Sequence, residues 1–351
     1  MATKGYNQYR GRGRGGKKLL VLLLLLILLG ACTFLFLQRY IVYNDDGSIS
    51  LELPFVSKTP SEDESKIPEE DVNIQREDPV QDPTPDPEPE PEPQPLVLRP
   101  LHAQELGYSC LYSDPTSQLA GWESVVVNVK RYDGSIAYYT GIELPANVLR
   151  GSESTLAHLK TIAASDCYTV ARMSVLCDNA FALAVPSAAV RYTQGGQWVD
   201  NYNRFWLDPT NEQVIDHICA LAKECVELGF DEILLDHLRY PIEGSLNQTT
   251  VSATDGRAAA IAALVERVRQ TVGPQIAVSI ILPGSIGTDY SFEVSGLTPQ
   301  VLTECFDRIY VPQDSSSYYW LSGKLGSDYD RTTRLVITST YAAADSYMIA
   351  Q

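Results

Sequence analysis

The segment Phe230–Pro241, FDEILLDHLRYP, concentrates residues that can do chemistry. Alternation with a period of two puts Glu232, Leu234 and Asp236 on one face of a short strand and Ile233 and Leu235 on the other. Asp236 ends the strand, Arg239 follows, and Tyr240-Pro241 stops regular pairing. A strand-end carboxylate next to solvent can act as nucleophile, general acid or general base, which makes Asp236 the first catalytic candidate. The competing reading is a structural aspartate that caps its loop or pairs with Arg239. Glu232 is the second catalytic candidate. It shares the face but lies deeper, where an acid needs a partner. Lys130 or Arg172 would supply one, and a structural ion pair is then the plainer role.

Other charged residues fall at strand ends. Lys130 closes Val125–Lys130 (VVVNVK), where it can reach a sugar hydroxyl, hold a carboxylate in its charged form, or simply be solvated. Arg172 sits inside an otherwise apolar strand and so needs a counter-charge; Glu232 and Asp178 are the expected partners. Between Tyr192 and Trp206, five aromatics lie among Gly, Gln, Asn and Asp, a mixture suited to stacking on sugar rings. Core packing is the alternative for at least one tryptophan. Trp206, Arg239 and Tyr240 are therefore taken as lining a substrate site with Lys130, Arg172 and Asp178. The four histidines show no metal-ligand spacing. There is no GxSxG, no P-loop and no strand-linked GxGxxG. No metal and no cofactor are expected. Carboxylate chemistry remains, and paired carboxylates are the usual means of hydrolysing a glycosidic bond.

The elements that must position these residues read as alternating strands and helices. Strands are expected at Tyr108–Tyr112, Val125–Val129, Tyr168–Val175, Glu232–Leu235, Ile276–Leu282, Arg308–Val311 and Leu335–Thr338, several nearly all apolar, as doubly buried strands are. Residues 211–228 and 257–272 carry apolar stripes of helical period, the first capped by Asp208-Pro209 and ended by Gly229, the second stopped by Gly273-Pro274. This alternation means βαβ units and a parallel sheet. The fold class is α/β, a (β/α)8 TIM-like barrel. With seven strands in view, the eighth lies near Val190–Val199 or Ala180–Val185, or the barrel is incomplete.

The rest of the chain is organised differently. Residues 1–18 form a basic tail with six Lys/Arg and no acid, and residues 19–37 (LLVLLLLLILLGACTFLFL) carry no charge over 19 residues. About 20 such residues span a bilayer, and the basic flank keeps the N-terminus in the cytoplasm. A single-pass signal anchor is the preferred reading; Leu29-Gly30-Ala31-Cys32 leaves a lipid anchor at Cys32 as the alternative. Both put the remainder outside the membrane. Residues 38–57 make a juxtamembrane segment. Residues 58–95 hold ten prolines, thirteen acids and three bases, a disordered semi-rigid spacer. The net charge of −17 argues against nucleic acid as a partner. Residues 96–351 then form the catalytic domain, close to the roughly 250 residues of a barrel. Its six cysteines read mostly as small buried residues, with one long-range disulfide left open.

Three segments resemble a family of glycoside-hydrolase-like domains of bacterial exported proteins, long catalogued as a domain of unknown function. Val125–Gly134 (VVVNVKRYDG) is similar to its "VIDVKDDxG", Tyr168–Asp178 (YTVARMSVLCD) to "YxIARxxxFKD", and Phe230–Pro241 to "FDEIQFDYIRFP"; Trp206-Leu207-Asp208-Pro209 fits the same pattern. The likeness spans roughly residues 107–315 and implies a (β/α) barrel acting on a cell-wall or capsular polysaccharide. Departures bear on catalysis. The family's first-segment Asp is Asn128 here, the polar residue between the two acids of the third segment is Leu234, and an Asp in "VSVDVFG" is Ile281. The family's "PMxYPSHY" loop has become Val311–Tyr319, where Asp314 is a substitute acid. The expectation is a membrane-anchored extracellular glycoside hydrolase; the alternatives are a non-catalytic glycan-binding or scaffold protein on a degenerate barrel, or a structural partner of wall-synthesis machinery.

Overall fold

The computed structural model describes residues 41–43, 49–51, 96–145, 148–251 and 253–350, and the chain divides into two units, 1–86 and 87–351. In the first, Ile41–Tyr43 pairs antiparallel with Ile49–Leu51. The basic tail, the expected membrane anchor at 19–37 with Cys32, and the spacer at 58–95 lie outside the described residues. Among the described residues, no helix is long and apolar enough to cross a membrane.

The second unit is an eight-stranded closed barrel. Its strands are β1 (His102–Leu106), β2 (Ser124–Lys130), β3 (Tyr168–Ser174), β4 (Glu232–Asp236), β5 (Ala277–Ile281), β6 (Ile309–Pro312), β7 (Leu335–Ser339) and β8 (Tyr347–Ile349). All pair in parallel with their sequence neighbours, and β8 closes the ring between β7 and β1 through Met348, opposite Thr338 and Ala103. The principal outer helices are α1 (Glu153–Ala163), α2 (Asn179–Ala184), α3 (Glu212–Leu228), α4 (Arg257–Val272), α5 (Asp289–Ser295), α6 (Pro299–Cys305) and α7 (Ser316–Lys324). The sheet is complete, but its helical jacket is not, because β7 joins β8 without a helix.

Two apolar layers follow from the strand alternation. Ala103, Val126, Val170, Leu234, Tyr310 and Met348 fill the barrel interior, while Val127, Met173, Ile233 and Leu235 pack outward against Val214, Ile218 and Leu264 of α3 and α4. Each fully buried Val, Leu or Ile contributes roughly 1.5–3 kcal/mol. Leu234 belongs to the interior packing, which is why an apolar residue is at home between Glu232 and Asp236.

Several expected boundaries move. Tyr108–Tyr112 is a 3-10 helix, and the first strand lies just before it, at β1. The eighth strand is β8; Asn179–Ala184 is helical, and Val190 to Val199 belongs to a hairpin outside the barrel, bridged at Arg191–Gln197 and Val199–Phe205. α3 is capped by Asn211, whose side chain accepts from Gln213 and Val214 N–H, whereas Asp208 turns the preceding loop by accepting from Thr210. Gly229 ends α3 at φ 107°, a left-handed conformation that suits glycine. The six cysteines of the barrel unit are all free thiols.

Candidate active site

The site is built at the carboxyl ends of β1, β3 and β4, where parallel strands open toward a ligand. Arg172, pointing inward from β3, donates from Nη2 and Nε to Asp236 Oδ2 at 2.7 and 3.1 Å, and from Nη1 to Glu105 Oε1 at 2.6 Å. Asp236 Oδ1 accepts from the backbone N–H of His237 at 2.7 Å and faces His237 Nδ1 at 3.0 Å. Each oxygen thus meets two donors, which fills the roughly four lone-pair sites of a carboxylate. Burial by itself raises the pKa of Asp236, but the charges and hydrogen bonds of His237 and Arg172 outweigh it and hold the carboxyl well below the usual carboxylate range. The side chain is still 16% exposed.

Two hollows, of about 250 and about 330 Å³, meet at this group and share Asp236, His237, Ile281 and Pro283. Glu105 and Arg172 line the larger; Arg239, Glu243, Tyr202 and Arg204 line the smaller. Arg239 is nearly buried, stacks 4.7 Å over the Trp206 ring, and places Nη2 3.5 Å from Glu243 Oε2. Trp206 is fully buried; its Nε1 donates to Asp200 Oδ2 at 3.0 Å, and its ring meets that of His237 edge-on at 6.2 Å. On the rim, Tyr202 is exposed with Arg204 4.9 Å from its ring, and Asp200 anchors that arginine at 2.7 Å.

Of the residues expected from sequence, the structure gathers Asp236, Arg172 and Arg239 at the mouth, with Trp206 behind them. The others stand elsewhere. Glu232 is fully buried at the opposite, amino-terminal end of the barrel interior, where it accepts from Arg308 Nη1 at 2.5 Å, Tyr310 OH at 2.8 Å and Tyr168 OH at 3.0 Å. Its partner is Arg308, not Lys130 or Arg172. Lys130 and Asp178 form an ion pair of 2.7 Å, each 1% exposed, beside α3. The bulge between Asn128 and Lys130 breaks the strand alternation, so Lys130 pairs in register with outward-packed Met173. The loop after Lys130 is pressed against Asp178: a Cβ on Gly134, at φ 88°, would fall 2.2 Å from Asp178 Oδ1. Tyr240 is buried with the Arg257 guanidinium 4.9 Å from its ring. Asp314 is exposed and accepts from Tyr319 OH at 3.2 Å.

Among the residues of the mouth that the sequence does not single out are Glu105, Glu243 and His237. Glu105 escapes the sequence pattern because the expected first strand, Tyr108–Tyr112, lies beyond it; with β1 at His102–Leu106, alternation from buried Ala103 aims it inward. His237 follows the leading candidate directly and stands where the quoted motif has Tyr, a difference that could have flagged it. Nothing local distinguishes Glu243. Two of the departures from the motif fall at the mouth. Asn128 lies in register with Arg172 and has a buried Oδ1 with no partner among the described residues, and Ile281 borders both hollows.

Residues 117–300, more than half of the chain, match the model of a family described as "Putative glycosyl hydrolase domain". No curated protein matches the chain. Among solved structures, a hypothetical protein from Ruminiclostridium thermocellum is 25% identical over 50% of this chain and 96% of its own, with a TM-score of 0.43. The glycoside hydrolase domain of PelA from Pseudomonas aeruginosa is 14% identical over 69% of this chain and 84% of its own, at 0.42. Ega3 from Aspergillus fumigatus, solved with galactosamine, is 10% identical over 70% and 79%, at 0.38.

Proposed function

We propose, from the premise that the chain belongs to the putative glycosyl hydrolase domain family, that it hydrolyses a glycosidic bond of a cell-surface polysaccharide at the barrel mouth. The observation that carries this reading is an ionised Asp236 opening onto two joined hollows, with a second carboxylate, Glu105, on the same arginine. Both carboxylates accept from one guanidinium and line the larger hollow together. A carboxyl kept in its charged form has no proton to give. Asp236 therefore faces the oxocarbenium-like centre as its negative counter-charge, while Glu105 takes the proton of the attacking water. Arg172 holds both acids in place, Arg239 borders the neighbouring subsite against Trp206, and Tyr202 on the rim stacks on a sugar ring. Glu232, Lys130 and Asp178, sealed from the mouth, serve the fold.

The substrate belongs outside the cell in this reading. The basic tail and the uncharged segment 19–37 tether the chain to the membrane with the barrel exported, and the proline-rich spacer carries it out toward wall or capsular glycan. The test is the release of new reducing ends from purified wall and capsular polysaccharides. The native chain releases them, and Asp236→Asn lowers the rate by about 10²–10⁴-fold while remaining folded. Undiminished turnover in that variant would remove Asp236 from the mechanism.

A second reading, a glycan-binding barrel without turnover, is favoured by Asn128 and Ile281 standing at two mouth positions where the motif has acids. It predicts saturable binding to one of the same polysaccharides with no reducing ends formed.

A further inference from the structure

A hydrolase that leaves its substrate oxygen as a hydroxyl must deliver a proton, and the carboxylates of the mouth are poorly placed to do so. Glu105 and Asp236 both accept from Arg172, while Glu243, its Oε2 3.5 Å from Arg239 Nη2, lines only the smaller hollow. A carboxylate that accepts from a guanidinium turns its lone pairs, not a proton, toward that partner. The remaining titratable group where the hollows meet is His237.

The surroundings of His237 settle which of its nitrogens exchanges a proton. Ser174 Oγ has one hydrogen, which it donates to the Cys177 carbonyl at 2.8 Å. At its contact of 3.2 Å with His237 Nδ1 the hydroxyl must therefore accept, so Nδ1 carries a hydrogen there. Asp236 Oδ1, 3.0 Å from the same nitrogen, reinforces that tautomer. Nδ1 is thus committed, and Nε2 has no protein partner among the described residues and is not one of the buried polar atoms. The rings of Tyr132 and Trp206 flank the imidazole at 6.3 and 6.2 Å. The backbone contributes too: His237 has φ 51°, a left-handed conformation uncommon away from glycine. That turn folds the residue after Asp236 back, so that its N–H and its ring both meet the same carboxylate. Strain held at such a point commonly marks function.

We propose that His237 is the general acid of the site, with Asp236 and Ser174 as the groups that fix its tautomer. This deepens the hydrolase reading above and rests on it. In the step, the ring acts from its doubly protonated form: the Nε2 proton of the imidazolium passes to the glycosidic oxygen as the C1–O bond breaks, the bonding pair leaves with that oxygen, and the neutral Nδ1–H tautomer remains. Water adds to C1 and loses its proton to Glu105; both groups return to their starting states by exchange with solvent. One bond is cleaved, one water is consumed, and nothing is oxidised or reduced. The charged groups bearing on the imidazole are Asp236 in contact, Arg172 behind it, and Arg239, Glu243 and Arg204 across the smaller hollow.

The test compares two leaving groups. Asn, like His, tolerates left-handed φ, so His237→Asn keeps the turn and removes the acid. Against a natural polysaccharide its kcat/KM falls by about 10²–10⁴-fold, whereas on a dinitrophenyl glycoside, whose leaving group needs no proton, it stays within about threefold. An equal loss on both substrates assigns His237 a structural role and overturns the proposal. No loss on either does the same while leaving the hydrolase reading intact. A native chain that cleaves neither the glycans nor the activated glycosides overturns both. Should the variant fail to fold, the pH profile of the native chain decides. The acid role requires kcat/KM on the natural polysaccharide to fall as pH rises, with no such fall on the dinitrophenyl glycoside; the same profile on both substrates contradicts it.

Discussion

One barrel interior holds two charge clusters on the same face of β4. At the amino-terminal end, Glu232 meets Arg308, Tyr168 and Tyr310; at the carboxyl end, Asp236 meets Arg172, Glu105 and His237. Both pair a carboxylate with an arginine at close range. They differ in access: Glu232 is 0% exposed and Asp236 16%. The hydrogen-bond partners found for Glu232 are other protein groups, so its cluster locks the strands that carry it. Asp236 borders two hollows, so its charge is available to a ligand. Residue type does not separate the two acids; position along a parallel strand does.

The largest effect that would sharpen this contrast belongs to the sealed cluster. Glu232→Gln leaves the Arg308 charge uncompensated and lowers unfolding free energy by about 3–5 kcal/mol in denaturant titration, with turnover per folded molecule unchanged. Loss of turnover without loss of stability would erase the distinction.

His217 of α3 supplies a pH test of the outer layer. It stacks on Phe181 at 4.5 Å, and burial, then the nearby Lys130 charge, push its pKa down to about 4, against an opposing pull from Asp178. The unfolded chain binds the proton near the usual value of about 6.5, so between about pH 4 and 6.5 the unfolded state holds more protons and stability rises with pH. Thermal unfolding should show that slope, worth on the order of 3 kcal/mol, and His217→Phe should flatten it. A slope unchanged in the variant would place its origin elsewhere.

A smaller effect is expected at the mouth from Arg172→Lys, which keeps the charge but not the fork that serves Glu105 and Asp236 together. Turnover should drop about tenfold, worth about 1.4 kcal/mol. The pKa of Asp236 is depressed in the fold, so its stabilising contribution is present above the unfolded value near 4 and is lost as pH falls below it. The lysine variant should show a shallower acid-side loss of stability, measured by unfolding below pH 4. The smallest effect is Tyr202→Ala on the exposed rim: KM rises a few-fold at unchanged kcat, with stability within about 0.5 kcal/mol. A fall in kcat instead would move Tyr202 into the chemistry.

The legible and illegible parts of the chain divide along physical lines. Strand alternation was enough to place Asp236 at the mouth and Glu232 below it, because β4 is regular and apolar between them. The same argument failed for Lys130, since a bulge reverses the side-chain direction after Asn128 and no local residue announces it. β1 was missed because HAQEL is polar, as a strand ending at the mouth can be, while the aromatic run Tyr108–Tyr112 has strand propensity that tertiary packing overrides. β8 spans three residues and closes the barrel through partners in β1 and β7, a pairing that sequence order does not encode. For the same reason the counter-charges were exchanged: Glu232 finds Arg308 across the barrel, and Arg172 finds Asp236 and Glu105.

The most direct measurement is a crystal structure of the Asp236→Asn variant soaked with an oligosaccharide cut from its best polysaccharide. The account predicts sugar rings running through both joined hollows, an anomeric carbon beside residue 236, and the linking oxygen within hydrogen-bond reach of His237 Nε2. Sugar seated only on the outer hairpin near Tyr192 and Gln248, with the mouth left to water, would contradict it.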